Sequence, residues 1–367
     1  MKFIVPKLEN YFKIVPAAFG LDISDSSIKF AHISSRWGKF SLVAYGEREL
    51  TEGTIKNGEL KKEADFTDKI RDIFQNHKDL PHYAFVGLME ENMFIKAFQL
   101  PKMEPAAIRS EILVDAENNI PISLDKAVFD YAVLPRPSRP TGKAGRPADG
   151  KSEMVTVIFG AVRKDIVTSY TKAFDKLGIS VLGFEPESFA IERSVIDKKN
   201  SDKSVLIVEI GATKTRLIVH ALGSVVLTGS ALFSAITATE MIMKKLKTDK
   251  AEAEELLWSG GAEIEKVLTT MGEELAKEIS GYISFFNTRR ERENFPFGDV
   301  STVLLSGGGA NAVGIDKLLS AELGLTVKRA NPFINTPGMK NNALDKQHAL
   351  RYSAALGLAL RGTWGIR

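Results

Sequence analysis

Two short stretches of this chain carry the same chemical groups in the same order. LDISDSSIK, from Leu21 to Lys29, aligns without a gap with VEIGATKTR, from Val208 to Arg216. Each places a carboxylate inside an apolar strand start (Asp22, Glu209), then a turn of small residues, then a cation (Lys29, Arg216). Turns rich in Ser, Thr and Gly expose backbone N–H groups that cradle phosphate oxygens. A carboxylate in each copy can hold a magnesium ion through water, so Asp22 and Glu209 are candidate metal contacts.

The elements that must position these groups are duplicated with them. Each turn leads into an alternating strand reaching His32 and Val219, then into a third strand, KFSLVAYGERE from Lys39 and GSVVLTGS from Gly223. Strand, tight turn, strand, strand is a meander by its alternation and turn chemistry, and its repetition predicts two similar lobes around a cleft. A third element, Thr302 to Leu323, reads as a buried strand, a Gly-rich turn and a helix. Its Gly307, Gly308 and Gly309 let the backbone approach a flat ligand closely.

Composition narrows the classes. At 367 residues the chain exceeds what one hydrophobic core usually serves, so two or more domains are expected. A net charge of +3 from 49 basic and 46 acidic residues gives no field that points to nucleic acid as the partner. The absence of cysteine excludes disulfides, thiolate metal sites and a cysteine nucleophile, and is compatible with a reducing cytoplasm. No run reaches the 18 or so apolar residues of a membrane helix, so any membrane contact is read as peripheral. The stretch Met1 to Pro16, apolar residues beside three lysines, is read as an arm packed on the body rather than an interfacial helix, because Pro6 interrupts it.

Several motifs are set aside. GRPADGKS, from Gly145 to Ser152, fits the P-loop pattern, but it follows a Pro-rich run and precedes a strand, whereas a P-loop follows a strand and opens a helix. Ser26 to Lys29 fits S-x-x-K in a strand turn, where the acylating serine belongs at a helix start. The histidines His32, His77, His82, His220 and His348 show no ligand spacing. Lys244, Lys245, Lys247 and Lys250 read as a solvated helix face.

Taken in order, the two loops, the Gly-rich turn and the segments around them resemble the actin-like ATPase superfamily. More closely, the chain resembles the PilM family of type IV pilus assembly proteins, related to FtsA. The likeness runs through LDISDSSIKFAHIS, GKFSLVAYGERELTEGTIKNGEL, MFIKAFQLPKMEPAAIRSEILVDAENNIPISLDKAVFDYAVL, the stretch from Val157 to Val195, VEIGATKTRL, LLSGGGANAVGIDKLL and ANPF to YSAALGLALRG. The resemblance implies a first phosphate loop of Asp22, Ser24, Ser26, Ser27 and Lys29, and a second of Glu209, Gly211, Thr213, Lys214 and Thr215. It places Gly307, Gly308, Gly309 and Asn311 under an adenosine, with ATP and Mg2+ as cofactors. Helices from Glu185 to Arg193 and from Tyr352 to Leu360 become connectors. Two departures predict weak ATP binding and at most a weak ATPase: Ser24 where the family usually has Gly, followed by Asp25, which adds negative charge where phosphate would sit, and Glu209 where the family has Asp. Glu185 or Glu187 could position an attacking water, or simply favour a helix N-terminus.

The implied fold is α/β, a two-lobed actin-like (ribonuclease H-like) architecture with an inserted small α+β subdomain. The expected division is an arm at 1–16; a first lobe core at 17–82, 178–200 and 346–367; the insert at 83–177, with a flexible loop at 135–151; a second lobe core at 201–230 and 301–345; and a helical subdomain at 231–300. The implied role is a cytoplasmic scaffold of type IV pilus, type II secretion or competence assembly, peripheral to the inner membrane through its partners. The implied partner is the N-terminal cytoplasmic peptide of a PilN-like inner-membrane protein, bound in a groove between insert and first lobe. Pilus assembly ATPases and a second copy of the chain are further candidates. Three alternatives stay open: a sugar or acid kinase, which needs a carboxylate base that nothing singles out; an FtsA-like filament former, whose C-terminal anchor is not expected after GTWGIR; and a degenerate scaffold that binds no nucleotide.

Overall fold

The structure, a computed structural model, describes residues 16–120, 122–134, 154–200, 203–261, 263–339 and 344–364. The N-terminal arm up to residue 15, the 135–151 loop and the rejected P-loop match lie outside them. The chain divides into two compact units, one of Met1–Ser194, Phe333–Ala343 and Ala354–Arg367, the other of Val195–Pro332 and Leu344–Ser353.

The first unit runs β1 (Phe19–Ile23), β2 (Ser27–Arg36), β3 (Lys39–Glu49), β4 (Ile55–Lys56), β5 (Glu59–Leu60), α1 (Glu63–Asn76), β6 (Tyr83–Leu88), β7 (Met93–Pro101), α2 (Pro105–Asn119), β8 (Ala127–Val133), β9 (Met154–Arg163), α3 (Lys164–Asp175), β10 (Ser180–Pro186) and α4 (Glu187–Val195). Its main sheet has the order β10-β6-β1-β2-β3, with β1 parallel to β6 and antiparallel to β2. All five residues of β1 are buried, as expected for a strand covered on both faces. On α1, Phe66, Ile70 and Ile73 form one apolar stripe that joins Phe19, Phe30 and Phe184 in the core.

The insert is narrower than the expected 83–177. β6 pairs with β1 at the centre of the main sheet, and α3 buries Ile166, Tyr170 and Phe174 in the same core. What stands apart is the antiparallel sheet β7-β9-β8 with α2, which has its own core around Phe98, Ile112 and Phe159. Pro105 at the first turn of α2 sets the helix start.

The second unit runs β11 (Val205–Ile210), β12 (Thr215–Ala221), β13 (Ser224–Ala231), α5 (Ala235–Leu246), α6 (Lys250–Ser259), α7 (Glu265–Arg292), β14 (Thr302–Ser306), α8 (Ile315–Leu323), β15 (Thr326–Arg329) and α9 (Lys346–Ala349). Its sheet order, β13-β12-β11-β14-β15, repeats the first sheet strand for strand, including the antiparallel hairpins and the parallel additions. A last helix, α10 (Ser353–Trp364), lies almost wholly in the first unit. The expected first-lobe segment 346–367 is therefore split, Leu344–Ser353 belonging to the second unit. The segment 195–200, also expected there, falls in the second unit as well.

Candidate functional site

Register makes the two loops equivalent. Asp22 stands directly opposite Lys29 across β1 and β2, and Glu209 directly opposite Arg216 across β11 and β12. The side chains then diverge.

In the first loop the serines satisfy one another. The Ser24 amide donates to the Ser27 carbonyl at 3.0 Å, and the Ser24 hydroxyl accepts the Ser27 N–H at 3.1 Å. Lys29 Nζ donates to Ser27 Oγ at 3.1 Å and sits 3.5 Å from Glu47. An amide and a cation expected to meet phosphate are thus met from within the chain. Asp25 corrects the sequence reading: its carboxylate accepts the N–H groups of Asn57 and Gly58 at 3.0 Å each, in the turn between β4 and β5. Its charge is spent on that turn, where Tyr170 also donates to the Gly58 carbonyl at 3.2 Å. Burial, reinforced by the charges of Asp25 and Glu187, pushes the Tyr170 phenol well up, so it stays a donor. Ser26 is exposed. Asp22 is 9% exposed and pairs with no cation among the described residues, which leaves its carboxylate available for a hydrated cation.

The second loop is open. Gly211 N–H closes on the Lys214 carbonyl at 3.0 Å, while Ala212 and Thr213 are exposed and their amides enter no bond among the described residues. Thr215 Oγ1 is enclosed without a partner among the described residues. Glu209 departs from the expected water-mediated metal contact: Arg216 Nη1 donates to its Oε2 at 2.7 Å, and a cation so near opposes a second one. In the Gly-rich turn the three glycines differ. A Cβ on Gly307 would lie 2.4 Å from the Ile210 carbonyl, and one on Gly309 would lie 2.3 Å from Ile210 Cγ2. A Cβ on Gly308 would meet nothing nearer than Arg351 Cβ at 3.9 Å among the described residues. Asn311 donates through Nδ2 to the Gln347 carbonyl at 3.0 Å, and its Oδ1 is enclosed without a partner among the described residues.

Glu185 is not the first residue of a helix but lies at the end of β10, 1% exposed. Arg193 grips both its oxygens, at 2.5 and 2.9 Å, and Arg361 of α10 donates to Oε2 as well. A carboxylate engaged by two arginines is held as a structural partner, which argues against the water-positioning role for which it is one of two candidates. Glu187 opens α4 and is 1% exposed, where the helix dipole favours a negative charge. Glu90, which sequence reading missed, accepts the Ser188 N–H at 3.1 Å at the same helix start.

In the first unit a groove of ≈ 990 Å³ runs between α3 and the segment that enters β8. Ile122, Asp125 and Lys126 line one side, and Arg163, Lys164, Thr168 and Lys172 the other. The 164, 168, 172 spacing, one helical face, is the signal that could have found this wall.

A family model described as type IV pilus assembly protein PilM matches residues 20–363. The chain belongs to that family. Among solved structures, a PilM-PilN type IV pilus biogenesis complex is 22% identical, aligns over 95% of this chain and 99% of that one, and has a TM-score of 0.75. The ethanolamine utilization protein EutJ of Carboxydothermus hydrogenoformans is 15% identical over 97% and 92%, with a TM-score of 0.52. MreB5 of Spiroplasma citri, bound to AMPPNP, is 12% identical over 94% and 95%, with a TM-score of 0.53. At such identities the likeness establishes the fold, which is the actin-like α/β class read from the sequence. Among the described residues no helix is long and apolar enough to cross a membrane.

Within this family member the first loop makes a measurable claim. Replacing Ser24 by Gly removes the hydroxyl that occupies the Ser27 N–H. A hydrogen bond to a charged group is worth about 1.5–3 kcal/mol, so if phosphate meets this loop, Ser24→Gly is expected to raise MgATP affinity about tenfold in calorimetry. Unchanged or weaker binding would show that this loop does not meet phosphate.

Proposed function

We propose that the chain is a nucleotide-binding scaffold of type IV pilus assembly, or of the related secretion or competence machinery. In this reading it holds the N-terminal peptide of a PilN-like inner-membrane protein against the first unit. The observation that carries the partner site is the groove beside α3 in a chain of this family. It offers an extended peptide three things: the edge strand β8 for backbone pairing, the apolar Ile122, and the cations Lys126, Lys164 and Lys172. The relative solved as a PilM-PilN complex supports it.

Nucleotide binding is supported by the open second loop, the bare face of Gly308 and the enclosed Asn311 acceptor, and by the relative solved with AMPPNP. Within the second unit, the Ala212 and Thr213 amides would take phosphate oxygens and Asn311 Oδ1 an amine of the base. Bound MgATP would supply charge and contacts that favour one arrangement of the chain over another, and only such differential affinity can switch a partner site. In this reading the role is that of a scaffold rather than a metabolic enzyme.

The test is fluorescence anisotropy with labelled peptides from the cytoplasmic tails of membrane proteins encoded beside this gene. The native chain is expected to bind one of them. Lys126→Glu with Lys172→Glu is expected to weaken that binding at least about tenfold, through lost attraction at the groove rim, with an unchanged melting temperature. Absence of binding to any such tail, or full binding by the double variant, would refute the assignment of the groove.

A further inference from the structure

Among the described residues the chain builds three two-residue hairpins, and they form an internal comparison. β4 and β5 close on Asn57 and Gly58, with φ of 51° and 74°. β12 and β13 close on Leu222 and Gly223, with φ of 54° and 76°. β2 and β3 close on Trp37 and Gly38, with φ of 53° and 74°. Two central residues at positive φ are the signature of a type I′ turn, which favours Asn or Gly in first place; a bulky side chain there is strained. Asn57 is the favoured residue. Leu222 is 5% exposed, so burial offsets its strain. Trp37 has neither compensation, being 90% exposed.

Charge is arranged against local stability at the same tip. Arg36 stands directly opposite Lys39, and like charges in that relation destabilise a hairpin. Neither is ion-paired among the described residues, and no acidic residue occurs between Asp25 and Glu47. The tip projects: β1 pairs with β2 only as far as Ala31, and every residue from Ser34 to Lys39 is exposed. It stands at the end of the sheet opposite the first loop, since Ser24–Ser27 precede the other end of β2. Local rules broken together at one point mark a functional site.

We propose that this tip is a direct contact point for an anionic lipid bilayer, with Trp37 at headgroup level and Arg36 and Lys39 on lipid phosphates. Trp favours the membrane–water interface, and each cation near an anionic surface adds about fivefold to binding. A protein partner is the poorer fit, because a specific interface needs about 800 Å² on each side and a two-residue turn presents little more than one aromatic and two cations. The contact is weak alone and effective once another interaction holds the chain at the membrane, through raised local concentration. It does not depend on the groove.

The full chain is sedimented with vesicles of equal parts phosphatidylcholine and phosphatidylglycerol, and with phosphatidylcholine vesicles. Binding is expected to the former, with a blue shift of tryptophan emission and release by high salt. Arg36→Ser with Lys39→Ser is expected to cost about 30-fold in affinity. Trp37→Asn is expected to cost about tenfold in binding and to lose the emission shift, while its melting temperature rises because Asn-Gly suits the turn. A merely structural Trp37 would make that variant less stable. Vesicle binding unchanged in both variants, or absent in the native chain, overturns the proposal; so does a Trp37→Asn chain that loses a partner's cytoplasmic tail instead of vesicles.

Discussion

Glu185→Ala is expected to lower the stability of the first unit by about 3–5 kcal/mol, the usual cost of removing one partner of a buried ion cluster. The loss reads as a lower melting temperature and denaturant midpoint. Glu185 is buried between two guanidinium groups: Arg193, which also donates to the Gly357 carbonyl at 3.0 Å, and Arg361, which lies 4.9 Å from the centre of the Phe85 ring. Removing the carboxylate leaves two guanidinium groups facing each other, Arg361 buried and Arg193 partly so. The pH dependence follows from the same contacts. Burial alone would raise the Glu185 pKa, but Arg193 and Arg361 outweigh it and hold the carboxyl below the usual range. A group depressed in the folded state stabilises above its ordinary pKa and loses that contribution as pH falls through the folded value. The gap between native and Glu185→Ala chains is therefore expected to be full at neutral pH and to close in acid. A variant within about 1 kcal/mol of the native chain, an ordinary exposed-pair effect, would show that the cluster is not a strut.

Gly357→Val is expected to prevent folding, and Gly357→Ala to cost about 3 kcal/mol or more, because overpacking against backbone has no rotamer through which to relax. A Cβ at Gly357 would lie 1.8 Å from the carbonyl oxygen of Ala190 on α4, and one at Gly20 would lie 2.3 Å from that of Ala355 on α10. α10 is thus pressed between β1 and α4, and glycine on both faces sets the separation. Gly281→Ala is the control. Gly281 lies inside α7 with nothing near its would-be Cβ, so alanine should stabilise by about 1 kcal/mol. Soluble, cooperatively unfolding Gly357→Val protein with native stability would contradict the close approach of α4 and α10.

Local order was legible because it is written locally. Alternation and turn residues give β3 its start at Lys39, Pro105 gives α2 its start, and the spacing of Asp22 to Lys29 and Glu209 to Arg216 reproduces itself in the register of two sheets. The family, too, is a property of order along the chain. What a charged side chain does is not so written, because it depends on which strand or helix arrives beside it. Asp25 reads as a charge set against phosphate until a turn 32 residues away offers it two amides. Glu185 reads as a candidate base until Arg361, 176 residues on, closes over it. Lys29 and Glu209 read as ligand contacts until Glu47 and Arg216 engage them. Sequence alone determined the repeated strands and their turns, through periodicity and backbone preference. Tertiary structure alone decided which polar groups remained unengaged, because burial leaves a charge stable only beside whatever partner packing brings to it.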